Sequence, residues 1–269
     1  MILFPFAKIN VGLHVLNKRA DNYHNIESLI LPIPLFDILE IEKSKTDEFT
    51  ISGLPLALTP DENLVWKAIH ILRKEVSFSP VKIHLHKQIP VQAGLGGGSS
   101  DATHTILAIC RLFNLKLSNE KRMELSAKIG SDCPFFLNQY AQFVSGKGDQ
   151  LEKFKLNQKA LKLLVIIPDF AVSTAIAYQR IKPDNDKMPL KDLLKEPIEK
   201  WQKLIKNDFE EVVFKDYPAL KTTKEMLIKQ GAIYAALSGS GSAMYGFYSE
   251  ERKILLPPNF NWYWLNVMI

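Results

Sequence analysis

Pro90-Val91-Gln92-Ala93-Gly94-Leu95-Gly96-Gly97-Gly98-Ser99-Ser100 is the stretch that decides the fold. Before it, Val81, Ile83 and Leu85 alternate with Lys82, His84 and His86, the period-two pattern of a half-buried strand. After it, Ala102, Ile106, Ile109, Leu112 and Phe113 recur at helical spacing, so a helix is expected to open near Ser99. Glycines let backbone N–H groups approach a ligand closely, and a helix N-terminus adds partial positive charge, so a strand–glycine–helix junction can cradle phosphates. The alternative is a plain turn closed by a serine cap, but three consecutive glycines cost too much chain entropy for a mere connection. No Lys-Ser or Lys-Thr pair follows the last glycine, which excludes a Walker loop. The βαβ setting and the acidic residue about 20 positions on are also missing, which excludes a dinucleotide fingerprint.

Working outward, residues 7–15 alternate as a strand that places Lys8, Asn10, Gly12 and His14 on one face. A polar turn over 18–25 leads into further strand over 26–41, where Pro32 and Pro34 suggest an edge or a bulge. Asp61 is expected to cap a helix carrying Leu64, Val65, Ala68, Ile69 and Leu72. Another helix over 119–129 should end at Gly130 as a left-handed cap. Gly146-Lys147-Gly148 marks a domain boundary, giving domains 1–148 and 149–269. Beyond it come a buried strand over 161–167 and a short helix opening near Ser173. Two longer helical patterns follow, one with Leu190, Leu193, Leu194, Trp201, Leu204 and Ile205, the other with Leu220, Met226 and Leu227. Strands over 233–237 and 243–247 flank Ser238-Gly239-Ser240-Gly241-Ser242, and 254–269 reads as a last strand. The mixture predicts an α+β fold in two layers.

At 269 residues, with 46% apolar and 23% charged side chains, the chain can build a sizeable core and is not a disordered polymer. The net charge of +5 suits a polyanionic small molecule without demanding nucleic acid. Cys110 and Cys133 have no partner at metal-ligand spacing, so neither a disulfide framework nor a metal site is expected. Residues 1–6 lack a signal peptide's basic start and cleavage site, and no apolar run nears the roughly 20 residues of a membrane helix. A cytoplasmic location is therefore expected.

Four further features carry chemistry. Gly130-Ser131-Asp132-Cys133-Pro134-Phe135-Phe136 places an aspartate at a helix start, either as an N-cap or as a carboxylate that accepts a hydroxyl proton in phosphoryl transfer. Lys8 is either a solvated edge lysine or a cation turned toward the same site, and Ser238-Gly239-Ser240 is a plain hairpin turn or a second donor-rich loop. Tyr23 and His24 decorate a surface loop or stack on a nucleobase.

In chain order, the block Ala7-Lys8-Ile9-Asn10, the glycine-rich loop and the late serine-glycine turn resemble the three motifs of the GHMP kinases. That family is named for galactokinase, homoserine kinase, mevalonate kinase and phosphomevalonate kinase. Lys18-Arg19-Ala20-Asp21-Asn22-Tyr23-His24 is similar to the branch that phosphorylates the C2 hydroxyl of a cytidyl-diphosphate polyol in non-mevalonate isoprenoid synthesis. The resemblance implies a ribosomal S5-like N-terminal domain and a C-terminal domain of helices on an antiparallel sheet. It implies that Pro90, Val91, Gln92, Ala93, Gly94, Leu95, Gly96, Gly97, Gly98, Ser99, Ser100, Ser238, Gly239 and Ser240 bind ATP, with Asn63 and Leu64 in the adenine pocket and Mg²⁺ carried with ATP. It also implies Asp132 as base and Lys8 as its catalytic partner, with Asn10, Tyr23, His24 and Tyr178 holding the acceptor. Three positions depart from the pattern: Asn22 stands where glycine is expected, Ala93 where a further glycine is common, and Cys133 where an aliphatic residue is usual. Asn tolerates the left-handed conformation, and none of the three removes a reacting group. A small-molecule substrate, no nucleic acid or membrane partner, and a monomer or weak homodimer complete the expectation. The rivals are a homoserine- or mevalonate-type kinase and an RNA-binding S5-like module, the latter disfavoured because basic residues are spread among acidic ones.

Overall fold

The computed structural model describes residues 1–55, 62–156, 160–255 and 260–268. In chain order the elements are β1 (Ile2–Leu3), β2 (Phe6–Lys18), β3 (His24–Phe36), β4 (Ile38–Lys43), β5 (Glu48–Gly53), α1 (Leu64–Arg73), β6 (Val81–Lys87), α2 (Gly97–Leu112) and α3 (Asn119–Ile129). A 3-10 turn (Cys133–Leu137) follows, then β7 (Gln142–Ser145), β8 (Gln150–Lys153), β9 (Ala160–Pro168), α4 (Thr174–Arg180), α5 (Leu190–Leu193) and α6 (Ile198–Leu204). The chain ends with α7 (Phe209–Asp216), α8 (Pro218–Lys229), β10 (Tyr234–Leu237), β11 (Met244–Tyr248) and β12 (Phe260–Met268). Among the described residues these strands form three four-stranded sheets, ordered β1-β4-β6-β5, β2-β3-β7-β8 and β10-β11-β9-β12. The α+β class is as expected.

Two compact units are interwoven along the chain: residues 1–7, 35–91 and 96–139 make one, and 8–34, 92–95 and 140–269 the other. In the first unit, β6 is antiparallel to β4 and parallel to β5. Val81, Ile83 and Leu85 turn inward, and α1 adds Val65, Ala68, Ile69 and Leu72 to the same core as Ala102, Ile106 and Ile109 of α2. Each of the Val, Leu and Ile side chains among them contributes about 1.5–3 kcal/mol when fully buried. In the second unit, β9 is central, antiparallel to β11 on one side and to β12 on the other. Its Leu164 and Ile166 pack with Phe209, Val213, Leu220 and Leu227 from α7 and α8.

Several expectations need correction. The helix α3 does stop before Gly130, but Gly130 has φ −173° and ψ 157°, extended backbone open to any residue. Pro32 and Pro34 do not make β3 an edge strand: it lies between β2 and β7, and its register with β7 covers Ser28, Leu29 and Ile30, leaving the prolines beyond that pairing. The pattern read as one helix from Leu190 to Ile205 is two short helices, because Pro197 cannot continue α5 and instead opens α6. α7 was not anticipated. Asp61 lies outside the described residues, and among those described Asn63 caps α1, its Oδ1 accepting from Val65 N at 2.9 Å. The final strand is present over Phe260–Met268, and Ser118 and Ser173 cap α3 and α4.

Candidate functional site

In the first unit the glycine-rich segment begins and ends on one buried ion cluster. Lys87, the last residue of β6, donates to Asp101 Oδ2 at 2.7 Å and to Asp37, and all three side chains are essentially sealed from solvent. Asp37 Oδ1 also accepts the N–H groups of Gln88 and Ile89, at 2.6 and 2.9 Å. Burial, the largest effect, pushes the Asp101 carboxyl up to about 8, although Lys87 pulls the other way. The helix α2 opens at Gly97, earlier than Ser99, behind Gly96 at φ 72° with no side-chain cap. A Cβ on Gly97 would lie 2.9 Å from Ile89 Cγ2, so glycine permits the close approach there. A Cβ on Gly98 would meet only Leu64 Cδ1, at 3.7 Å, which places Leu64 beside the opening of α2. Ser100 is buried, and its Oγ lies 3.4 Å from His104 Nδ1. That hydroxyl faces the protein interior.

Asp132 stands before the 3-10 turn with Pro134 just inside it, yet its carboxylate makes no capping hydrogen bond. The capping alternative is therefore not what the structure uses. Asp132 is half-buried, and the neighbouring Cys133 is fully buried. Burial raises the Cys133 thiol to about 11, and Thr103 Oγ1 donates to the Cys133 carbonyl at 2.8 Å. Such a thiol is a core group, not a nucleophile.

In the second unit Lys8 and Asn10 are each 4% exposed, which rules out the solvated-edge reading of Lys8. Lys8 Nζ donates to Asn10 Oδ1 at 2.6 Å, and Asn10 Nδ2 donates to Ser28 Oγ at 2.8 Å, whose hydroxyl donates to Gly12 O. The middle of the glycine-rich segment joins the same cluster: Lys8 N donates to Leu95 O at 2.9 Å and Ala243 N to Ala93 O at 3.0 Å. Ser238 Oγ donates to Gly94 O at 2.9 Å. Gly94 has φ 75°, and a Cβ there would fall 2.0 Å from Ser238 O, so backbone meets backbone. Gly239 brings the late turn within 3.5 Å of Lys8 Nζ, measured from where its Cβ would stand. Asn207 holds that turn, its Nδ2 donating to Leu237 O and Gly239 O at 2.8 and 2.7 Å. Ser240 Oγ is 2.6 Å from Thr174 Oγ1.

His24 opens β3 after a turn in which Asn22 adopts φ 65°, the left-handed conformation expected of it. Tyr23 is 58% exposed, with Lys147 Nζ 5.4 Å from its ring centroid. The His24 and Tyr178 rings stack at 5.5 Å with 21° between planes, and Tyr178 packs edge-on against Phe209. A base between two rings needs about 7 Å, twice the ~3.5 Å carbon contact distance, so no base fits between these two as they stand. Burial, then Lys18, lowers the His24 pKa and favours neutral imidazole.

The sequence reading missed Asp37, Lys87, Asp101, Ser28, Asn207 and Tyr245, the last donating from its hydroxyl to Asn10 O at 2.8 Å. A charged residue at an inward strand position was the available signal for Lys87. Among the described residues no three His, Cys, Asp or Glu side chains gather as a metal cluster, and no helix is long and apolar enough to cross a membrane.

A mixed α/β fold with antiparallel sheets, a glycine-opened helix and a buried Lys-Asn pair defines the class. Family models describe residues 63–145 as the GHMP kinases N terminal domain and 190–255 as the GHMP kinases C terminal. The chain belongs to the GHMP kinase family. It is 45% identical over 252 residues to a 4-diphosphocytidyl-2-C-methyl-D-erythritol kinase of Cytophaga hutchinsonii, covering 93% of each chain. A protein of the same name from Bacteroides fragilis is 43% identical, covering 94% of each. Among solved structures, a 4-(cytidine 5'-diphospho)-2C-methyl-D-erythritol kinase is 29% identical with TM-score 0.76, covering 91% of this chain and 89% of the other. The Methanococcus jannaschii mevalonate kinase, at 17% identity and TM-score 0.66 over 92% and 90%, shares the fold.

Proposed function

We propose that this chain uses ATP to phosphorylate the 2-hydroxyl of 4-diphosphocytidyl-2-C-methyl-D-erythritol, giving the 2-phosphate and ADP. The observation that carries this reading is the identity of 45% and 43% to relatives of that name over 93–94% of the chain.

Phosphoryl transfer asks the protein mainly for positioning and charge stabilisation. In this reading the N–H groups around Gly96, Gly97 and Gly98, at the positive end of α2, receive the ATP phosphates. The space beside Gly98 supports that role: among the described residues a Cβ there would meet only Leu64 Cδ1, at 3.7 Å. Asn63 and Leu64 border the adenine, with the Asn63 side chain spent on capping α1. Asp132 takes the proton from the acceptor hydroxyl as its oxygen bonds to the γ-phosphorus and the bond to the ADP oxygen breaks. Lys8, oriented by Asn10 and Ser28, supplies positive charge to the acceptor oxygen and the transferring phosphoryl group. Tyr23 stacks on cytosine, neutral His24 hydrogen-bonds its edge, and Tyr178 closes the other face once it parts from His24. Mg²⁺ would arrive on the nucleotide oxygens and would neutralise phosphate charge there.

The same reading carries a cytoplasmic enzyme of soluble small molecules, a monomer or weak homodimer with no nucleic-acid partner. It keeps 1–148 and 149–269 as the family's domains, distinct from the interwoven contact units. A turnover panel with ATP and the cytidyl acceptor, homoserine and mevalonate tests it: transfer to the cytidyl acceptor is expected, and preference for either of the others would overturn it. Tyr23→Ala should raise the KM for the cytidyl acceptor by about 10-fold or more, from ~1–3 kcal/mol of lost stacking, with ATP KM unchanged.

A further inference from the structure

Asp37, Lys87 and Asp101 form the most deeply buried charged cluster near the glycine-rich segment, and no step above uses them. Their relative exposures are 0%, 2% and 2%. Together they touch both ends of the segment. Asp37 binds the backbone N–H of Gln88 and Ile89, the residues that lead into it. Asp101 lies one turn inside α2, the helix that ends it, and Lys87 spans the gap between the two carboxylates. Gly97 presses against this cluster from above, since a Cβ there would stand 3.2 Å from Lys87 Nζ.

A buried ion cluster is a poor source of net stability, because apolar side chains of equal volume usually do as well. What it adds is fixed direction and distance. The charge count also bears on the ligand. One ammonium and two carboxylates sum to −1, whereas one retained proton makes the cluster neutral. Burial, and after it the neighbouring Asp37 carboxylate, raise the Asp101 carboxyl, so Asp101 is the group that retains that proton. The charged groups facing Asp101 are Lys87 from β6 and Asp37 from the corner before β4. A neutral cluster puts no negative charge beneath an incoming phosphate.

We propose that Asp37, Lys87 and Asp101 are positioning residues that hold the strand end and the helix start at one fixed separation, so that the intervening amides meet the nucleotide's phosphates. This inference rests on the reading that the segment binds ATP phosphates.

The test is steady-state kinetics and ATP binding by calorimetry on the full chain, with Lys87→Met and Asp101→Asn. Lys87→Met should raise ATP KM and Kd about tenfold or more, the scale of a sub-ångström misplacement, while acceptor KM stays near wild type and kcat falls by less than about threefold. A merely structural role would lower thermal stability and leave the ATP and acceptor constants of the folded fraction unchanged. Asp101→Asn keeps shape and neutrality, so its ATP KM should match wild type near neutral pH, and it should lack the rise wild type shows above about 8. Wild-type ATP constants in Lys87→Met overturn the proposal. If that variant does not fold, equal alkaline rises in wild type and Asp101→Asn overturn it. Wild-type chain that binds ATP but transfers nothing to the cytidyl acceptor sinks the assigned substrate and leaves the positioning role standing. Wild-type chain that binds no ATP overturns both.

Discussion

At the scale of single residues, Asp132 and Lys8 are the two candidate reacting groups, one half-buried before a 3-10 turn and the other 4% exposed. Asp132 precedes a proline and reads as a cap, and only the backbone of the 3-10 turn shows that its carboxylate is not used that way. Asp132→Asn should lower kcat by about 10² to 10⁴, the usual worth of a general base, with ATP KM little changed. Single-turnover measurement checks it, and undiminished transfer would remove Asp132 from the mechanism. Cys133 next door should resist iodoacetamide at neutral pH in the folded protein and react only on unfolding, because burial both hides the thiol and raises it to about 11. Mass spectrometry of the native and denatured chain distinguishes the two. Asn207, Asp37 and Ser28 could not be picked out beforehand, since their partners Gly239, Ile89 and Asn10 lie far away in sequence.

At the scale of elements, periodicity and caps located α1, α2, α3, β6 and β9, where one apolar face is long enough to show its period. It failed where elements are short. α7 has two turns, and α5 and α6 keep a common apolar spacing across Pro197, so the pattern alone runs them together. The glycines of the central segment also divide by element. Gly94→Ala should destabilise the protein by several kcal/mol, because it combines positive φ with a 2.0 Å clash against Ser238 backbone. Gly98→Ala, in helical backbone with open space, should hold or raise the melting temperature by virtue of ~1 kcal/mol of helix propensity, yet weaken ATP binding. Thermal melts paired with nucleotide titration read both. An unaltered ATP affinity in Gly98→Ala would mean that phosphates do not approach there.

For the whole molecule, the mild charge excess said little about fold, and the interweaving of the two units was invisible, because nothing in a linear pattern tells which distant segments share a core. Stability against pH is a property of the whole chain, and its alkaline side has an identifiable source. Asp101 is pushed up to about 8 in the folded state, from about 4 when unfolded, so the folded form holds a proton that the unfolded form releases. Its contribution is complete below about 4, shrinks as pH rises, and is gone once pH passes about 8. On the acid side, burial lowers the His14 and His104 pKa values, so their contribution is present above the unfolded value of about 6.5 and is lost as pH falls. Calorimetric melts from pH 6 to about 9 should show Asp101→Asn losing less than wild type as pH rises, and parallel curves would assign the alkaline loss elsewhere.

The interwoven chain also sets a timetable for synthesis. The path passes between units at 7/8, 34/35, 91/92, 95/96 and 139/140, so the second unit has begun by residue 8 and finishes last. Its early strands carry Ile9, Val11, Leu13, Val15, Leu29 and Ile30, all buried in the end. The stretch of β3 around Ser28 must wait for Gln142–Ser145 to emerge before it gains that neighbour. At about 5–20 residues per second, the delay on the ribosome is on the order of 5 to 20 s. During that interval the first unit can complete its core while the nascent second unit holds adhesive strands in the open. A ribosome-associated holdase, or a slow pause after residue 139, would matter more to the yield of this enzyme than to its finished stability.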